Sequence, residues 1–144
     1  MPASNHRIYH RLQLATHRLQ KAADRSLLDA AGVTTPQAAV LATIDGQSSV
    51  TQKGVAKQLG VNESAMTAMI NRLHSMGLVE KVQVENDARA WQLRLTEDGR
   101  ATVLKVRRPF AKLNRKIEQA LNPDEVARLA NYLERIANVF EVSE

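Results

Sequence analysis

Apolar side chains at Ile8, Leu12, Ala15, Leu19, Ala22 and Leu27 follow the three-four alternation of one helical stripe, and Gly32 supplies a stop. The spacing predicts a long amphipathic helix over about residues 5–30, whose stripe finds little to cover it within one chain. Thr35-Pro36 reads as a hydroxyl cap followed by proline at the first helical position, where its missing N–H costs nothing. Val40, Leu41 and Ile44 give this second helix its apolar face, and Asp45-Gly46 ends it. Residues 48–50 form a brief strand candidate before a further cap at Thr51. Two shorter helices follow, over 52–59 and 63–76, the second capped by Asn62 and closed by Gly77.

The period then changes to two. Over 78–84 and 90–96 apolar and polar positions alternate, with Trp91, Leu93 and Leu95 set against Gln92 and Arg94. Between them residues 85–89 are rich in turn formers and too polar for a core. Thr96 caps the next helix, with Glu97 and Asp98 in its first turn, where the helix dipole favours acids. Its stripe is Val103, Val106, Phe110, Leu113, Ile117 and Leu121, and Pro109 inside it predicts a kink near 105–109. A last helix opens on Asn122-Pro123-Asp124-Glu125, with a cap, an early proline and a capping-box acid. Val126, Leu129, Leu133, Ile136 and Phe140 continue the stripe.

Two short helices, a tight turn and a charged hairpin in Thr51–Thr96 together predict a winged helix-turn-helix. The fold class is therefore mainly α with a small β-hairpin wing, and residues 1–144 read as a single domain. Within it, 34–100 form a DNA-binding head, while 5–30 and 101–144 supply a helical dimerisation layer built from the N- and C-terminal helices. The same stripes also allow an intramolecular bundle. A homodimer is preferred because a second copy gives the terminal stripes surface to bury and gives DNA reading a two-fold geometry.

Residue type at each step carries the helix-turn-helix reading. Val55, Leu59, Val61, Met66 and Met69 are apolar where the helices face each other, Ala56 is small at their approach, and Gly60 sits where the turn wants a positive φ. Burying that face points Asn62, Glu63, Ser64, Thr67, Ala68, Asn71 and Arg72 outward. In a major groove Asn pairs with adenine, Arg with guanine, and Ser or Thr with bases or phosphates. The alternative is a plain solvated face, which normally carries more Lys and Glu. Arg89 in the hairpin is placed to enter a minor groove, with Asp87 holding it by an ion pair.

Charge changes the picture less than placement does. The chain of 144 residues carries a formal charge of +5. The stretch 51–100 holds 7 basic and 6 acidic groups, so a case for DNA rests on geometry rather than net charge. Aromatics are 3% of the chain, which leaves the core to aliphatic side chains and suits helix packing. There is no cysteine, which excludes disulfides, thiol redox switching and thiolate metal ligands. No apolar run reaches a membrane span and no signal-peptide pattern opens the chain, so a cytoplasmic protein without membrane association is expected. Glycine-rich phosphate loops and catalytic constellations are missing, and an enzyme is not expected. His6 and His10 stand four apart on a helix but lack further ligands in sequence, so neither a metal nor a cofactor is expected.

Thr35-Pro36-Gln37, Arg72-Leu73 with Gly77-Leu78-Val79, and above all Asp87-Ala88-Arg89 followed by Leu93-Arg94-Leu95-Thr96 and Gly99 resemble the MarR family of bacterial transcription regulators. The resemblance covers nearly the whole chain. It implies a homodimeric repressor on a pseudo-palindromic double-stranded DNA operator, released by a small, often phenolic or aromatic, effector bound between head and dimer layer. At that place His10, Arg11, His17 and Arg18 on one side, and Arg107 or Arg108 on the other, are candidates to take a carboxylate, against the plainer reading of a solvated face. The basic run from Lys105 to Lys116 suits phosphate, ligand or solvent equally. Members that sense oxidants through cysteine are no model for this chain, and Lys81 stands where the family often has arginine. An adaptor or a nonspecific architectural DNA binder on the same fold is the alternative function.

Overall fold

The computed structural model describes residues 5–84 and 87–141, with side chains at 84 and 87–90 outside that description. The chain divides after Pro109 into two compact units.

In the first unit α1, Ile8–Ala31, ends where Gly32 adopts φ +70 and its N–H reaches the Leu28 carbonyl at 3.0 Å. Of its side chains only Ala23 and Leu27 are buried, and Ile8, Tyr9, Leu14, Leu19 and Leu28 remain exposed. The next helix, α2, covers Thr35–Asp45, and its cap is Thr34 rather than the expected Thr35. The Thr34 hydroxyl accepts from the Gln37 N–H while the Gln37 side chain accepts from the Thr34 N–H, a complete capping box. Thr35 is committed elsewhere. Its N–H and hydroxyl both donate to Asp24 Oδ1, at 2.8 and 2.5 Å, tying α1 to the start of α2. Those two bonds, the hydroxyl's first, hold the Asp24 carboxyl below the ordinary carboxylate range.

The sheet has three strands, the hairpin pair and the brief strand expected near residues 48–50. They are β1 (Val50–Thr51), β2 (Val79–Val84) and β3 (Asp87–Leu95), antiparallel in the order β1-β3-β2. Val50 pairs with Leu93, and Val79 with Leu95. Leu93 and Leu95 are 5% and 4% exposed, whereas Trp91, on the same alternation, is 48% exposed. Trp91 lies one step past the residues that β1 pairs, near the register shift at Gln83 and Val84, so the cover of the first strand ends before it.

Between the strands run α3, Gln52–Leu59, and α4, Glu63–Ser75, close to their expected ranges. The core joins both to α2 and the sheet, with Leu27, Val33, Val40, Leu41, Val55, Met66, Ile70, Leu73 and Val79 almost wholly buried. The fifth helix, α5, covers Glu97–Gln119 and runs unbroken through Pro109, where the boundary between the units falls.

A small junction fixes the end of α4 to the sheet and to the start of α5. The Leu78 carbonyl accepts from the Thr96 N–H at 3.1 Å, and the Thr96 hydroxyl donates to the Gly77 carbonyl at 2.6 Å. That hydroxyl also accepts from the Gly99 N–H at 3.0 Å, capping α5. Gly99 is buried, and a Cβ there would overlap the Leu78 carbonyl oxygen, a backbone atom that has no rotamer to escape by. The glycine is thus required by close approach of two backbones.

In the second unit α6, Pro123–Val139, begins with a full capping box in which Asn122 and Glu125 exchange bonds of 2.9 and 3.0 Å. No residue of α6 is buried. Tyr132, Leu133 and Val139 are exposed on it, with Phe140 just beyond its end. Among the described residues no single helix is long and apolar enough to cross a membrane.

Replacing Gly99 with alanine gains helix propensity but forces the Leu78 backbone aside. Urea unfolding is expected to show a net loss of about 2 kcal/mol, and an unchanged midpoint would contradict the close approach.

Candidate nucleic-acid interface

The geometry of the interface starts with its hidden side. Val55 and Ala56 of α3 are buried, as are Met66, Ile70 and Leu73 of α4, while Leu59, Val61 and Met69 pack around them partly covered. Gly60 turns the chain at φ +65, and the Val61 N–H bonds the Ala56 carbonyl at 2.9 Å. Thr51 caps α3 through the Gly54 N–H at 3.0 Å. Eight apolar side chains therefore fix one helix pair, and the outer side of α4 is what remains.

Asn62, Glu63, Ser64, Thr67, Ala68, Asn71 and Arg72 are all exposed on that outer side. They are not equally free. Asn62 Oδ1 accepts from the Ala65 N–H at 2.8 Å and from the Ser64 hydroxyl at 2.9 Å, so both side chains serve the helix cap. The Thr67 hydroxyl donates to the Glu63 carbonyl at 2.9 Å and accepts from Gln52 Nε2 at 2.7 Å. Asn71 Oδ1 accepts from Lys81 Nζ at 3.0 Å. The Arg72 side chain makes no hydrogen bond or ion pair among the described residues, which leaves its guanidinium available there.

Gln52 and Lys81 are the members that the sequence reading passed over as site residues. Lys81 carried a signal. It pairs with Leu93 and so shares the face of the sheet that the buried leucine occupies, an unusual place for an ammonium unless a polar partner waits there. Gln52 had no such mark, because its partner lies fifteen residues on, across the turn.

Asp87 and Arg89 both fall in β3, which begins at Asp87, so the strand takes in residues that the alternation left to the hairpin tip. Their side chains lie outside the described residues. Further along, Arg94 pairs with Glu80 across the sheet at 2.9 Å. The exposure of that pair makes it worth no more than about 1 kcal/mol.

The candidates for an effector, His10, Arg11, His17, Arg18, Arg107 and Arg108, are all exposed. Arg11 donates to the His6 carbonyl at 2.7 Å. None of the six lines the cavity of about 280 Å³ that opens elsewhere in the first unit, whose walls include Ile44, Gln47, Gln92, Leu93, Arg94 and Arg100. Most polar side chains among these walls are already engaged. Gln47 meets Gln58, Gln92 meets Ser49, and Arg100 meets the Leu95 carbonyl. Among the described residues no group of three or more His, Asp or Glu side chains is placed to hold a metal.

A helix pair fixed by its buried face, an outward second helix and a three-stranded sheet behind it define a winged helix-turn-helix DNA-binding protein. A model described as "MarR family" matches residues 31–90. The chain is 33% identical over 105 residues to the multiple antibiotic resistance protein MarR of Salmonella typhimurium, covering 72% of this chain and 73% of that one. It belongs to the MarR family, and its class is that of DNA-binding transcriptional regulators. Two solved structures are similar throughout. A mutant MarR from E. coli complexed with operator DNA is 28% identical, with TM-score 0.75 and coverage of 93% of this chain and 99% of that chain. The PcaV transcriptional regulator from Streptomyces coelicolor, in complex with its natural ligand, is 27% identical, with TM-score 0.77 and coverage of 98% and 100%.

The two sides of α4 separate experimentally. Met66→Ala opens a cavity in the core and is expected to cost about 2–5 kcal/mol in thermal or denaturant unfolding, while Ala68→Ser on the outer side changes stability by less than about 0.5 kcal/mol. Equal losses would contradict the assignment of faces.

Proposed function

We propose that this protein is a sequence-specific, homodimeric repressor that binds a pseudo-palindromic operator and leaves it when a small effector binds. The observation that carries the reading is the outer side of α4, where seven candidate contact residues are exposed on a helix braced at its cap, middle and end. Bracing matters because base discrimination depends on side chains held within a fraction of an ångström. Arg72 is the strongest candidate to read a base edge, as a free fork that matches guanine. Asp87 and Arg89 are proposed as the wing's probe of the adjoining minor groove.

The apolar residues left exposed on α1, and the α6 stripe with no buried member, support a partner copy as their cover. A dimer places two copies of α4 in successive major grooves, which a single head cannot do. The effector rests on relatives. PcaV is solved with its natural ligand, and the resemblance implies an aromatic or phenolic acid, for which the arginines and histidines of α1 and α5 are the proposed anion partners. The cytoplasm is the compartment in which such a regulator meets its DNA.

Titrating the protein against random-sequence and selected duplexes at several salt concentrations tests the reading. A selected site is expected to bind at least about a thousandfold more tightly than random DNA. Arg72→Ala is expected to weaken the selected site by about 1–3 kcal/mol and relax one position. Equal affinity for all sequences would favour an architectural binder, and indifference to DNA with retained protein partners an adaptor.

A further inference from the structure

The hydrogen bond between Lys81 and Asn71 decides more than the placement of a side chain. An amide at a major groove is ambiguous, because its oxygen accepts and its nitrogen donates, and presenting both together is what matches adenine. Lysine removes the ambiguity. Its ammonium holds three donors and no acceptor, so the amide atom it meets at 3.0 Å must be the oxygen. That bond takes one of the oxygen's two lone pairs and draws charge from the amide, so Asn71 offers a base a strengthened NH₂ donor and a weakened acceptor.

We infer that Lys81 sets the base preference of Asn71, turning it from an adenine reader into a reader of the keto bases, guanine and thymine. In the major groove guanine presents the acceptors O6 and N7, and thymine presents O4, all suited to an amide that donates better than it accepts. Adenine accepts the NH₂ at N7 but sets its N6 donor against the weakened oxygen, and cytosine presents a donor alone, so both match Asn71 less well. The nearby ammonium reinforces the choice, since its positive charge polarises the amide N–H and is attracted to the negative edge of guanine. Two of its three protons remain for a phosphate or the same base.

The arrangement is built rather than incidental. Lys81 stands in β2 opposite Leu93, in a sheet whose register is pinned by pairs from Val79–Leu95 to Gln83–Trp91. Asn71 is held by α4, whose Ile70 and Leu73 are fully buried on either side of it in sequence. One hydrogen bond across ten residues therefore joins two rigid elements at the surface expected to meet DNA. Thr67, one turn earlier on the same side of α4, follows the same logic, because its only hydroxyl proton is given to the Glu63 carbonyl. Neither side chain is free to show a base the full polarity its residue type suggests.

This inference rests on the proposed sequence-specific binding, and the experiment separates the two. Sites are selected from randomised duplexes with the wild type, Lys81→Met, Lys81→Arg and Asn71→Ala, each checked for an unchanged circular dichroism spectrum. The wild type is expected to favour guanine or thymine about tenfold at one position of each half-site. Lys81→Met frees the amide and moves that position towards adenine, Lys81→Arg keeps a donor on Asn71 and preserves the keto preference, and Asn71→Ala flattens that position alone. A specific site whose base preferences are identical in the wild type and Lys81→Met overturns the role of Lys81 and leaves the regulator reading intact. A specific site with no position flattened by Asn71→Ala overturns it equally. No preferred site for the wild type removes the regulator reading itself.

Discussion

Two backbones meet at the Leu78 carbonyl more closely than any side chain would permit, and the working parts of the head depend on that approach. Gly99 leaves out the Cβ that would strike this oxygen, and Thr96 ties the same point with its N–H and its hydroxyl. Three elements are fixed by this means: the end of α4, the paired strands β2 and β3, and the start of α5. Without the contact the helix that carries the outward residues and the sheet that carries Lys81 would lose their common reference. The Leu93-Arg94-Leu95-Thr96 and Gly99 pattern thus has a physical content beyond resemblance, since each member packs, pairs, caps or yields space at one place.

A second consequence concerns what exposure means at a binding surface. The outer side of α4 is open to solvent, yet Asn62, Ser64, Thr67 and Asn71 are already bonded within the protein. Such commitments cost little as stability but remove rotamer freedom that binding would otherwise have to take away. They also narrow the chemistry each residue offers. Among the described residues Arg72 keeps all its guanidinium donors unassigned, which makes it an adaptable member of a largely pre-set face.

Most of the fold was legible because its signals are local. The α3 and α4 ranges, the Gly60 turn and the Asn62 and Thr51 caps follow from spacing within a few residues. What escaped was set by distant partners. Thr34 replaced Thr35 as the cap because Asp24, eleven residues back, claims Thr35. A depressed carboxyl of this kind contributes stability above the ordinary carboxylate range and loses it as pH falls through the lowered value. The brief strand expected at 48–50 lies at Val50–Thr51, and Gln92 reaches Ser49 across 43 positions to secure it. Trp91 keeps the period of its strand but outruns the cover of β1. Lys81 was noticed for its charge, while its bond to Asn71 required the register of the sheet. The basic residues of α1 and α5 had no pattern to distinguish ligand from solvent.

The helices toward the two ends of the chain pose the complementary problem, since each leaves apolar side chains exposed. The α6 helix is fully capped yet buries no side chain, and α1 leaves five large apolar residues open. The proposed second copy would join this fact to the head, since two-fold symmetry would set the separation of two braced recognition helices. Hydroxyl-radical footprinting on a selected operator measures that joint claim directly. The account predicts two protected half-sites centred about 10–10.5 base pairs apart, or a multiple of it, filled together as protein is added. A single protected half-site filled by one chain would contradict it.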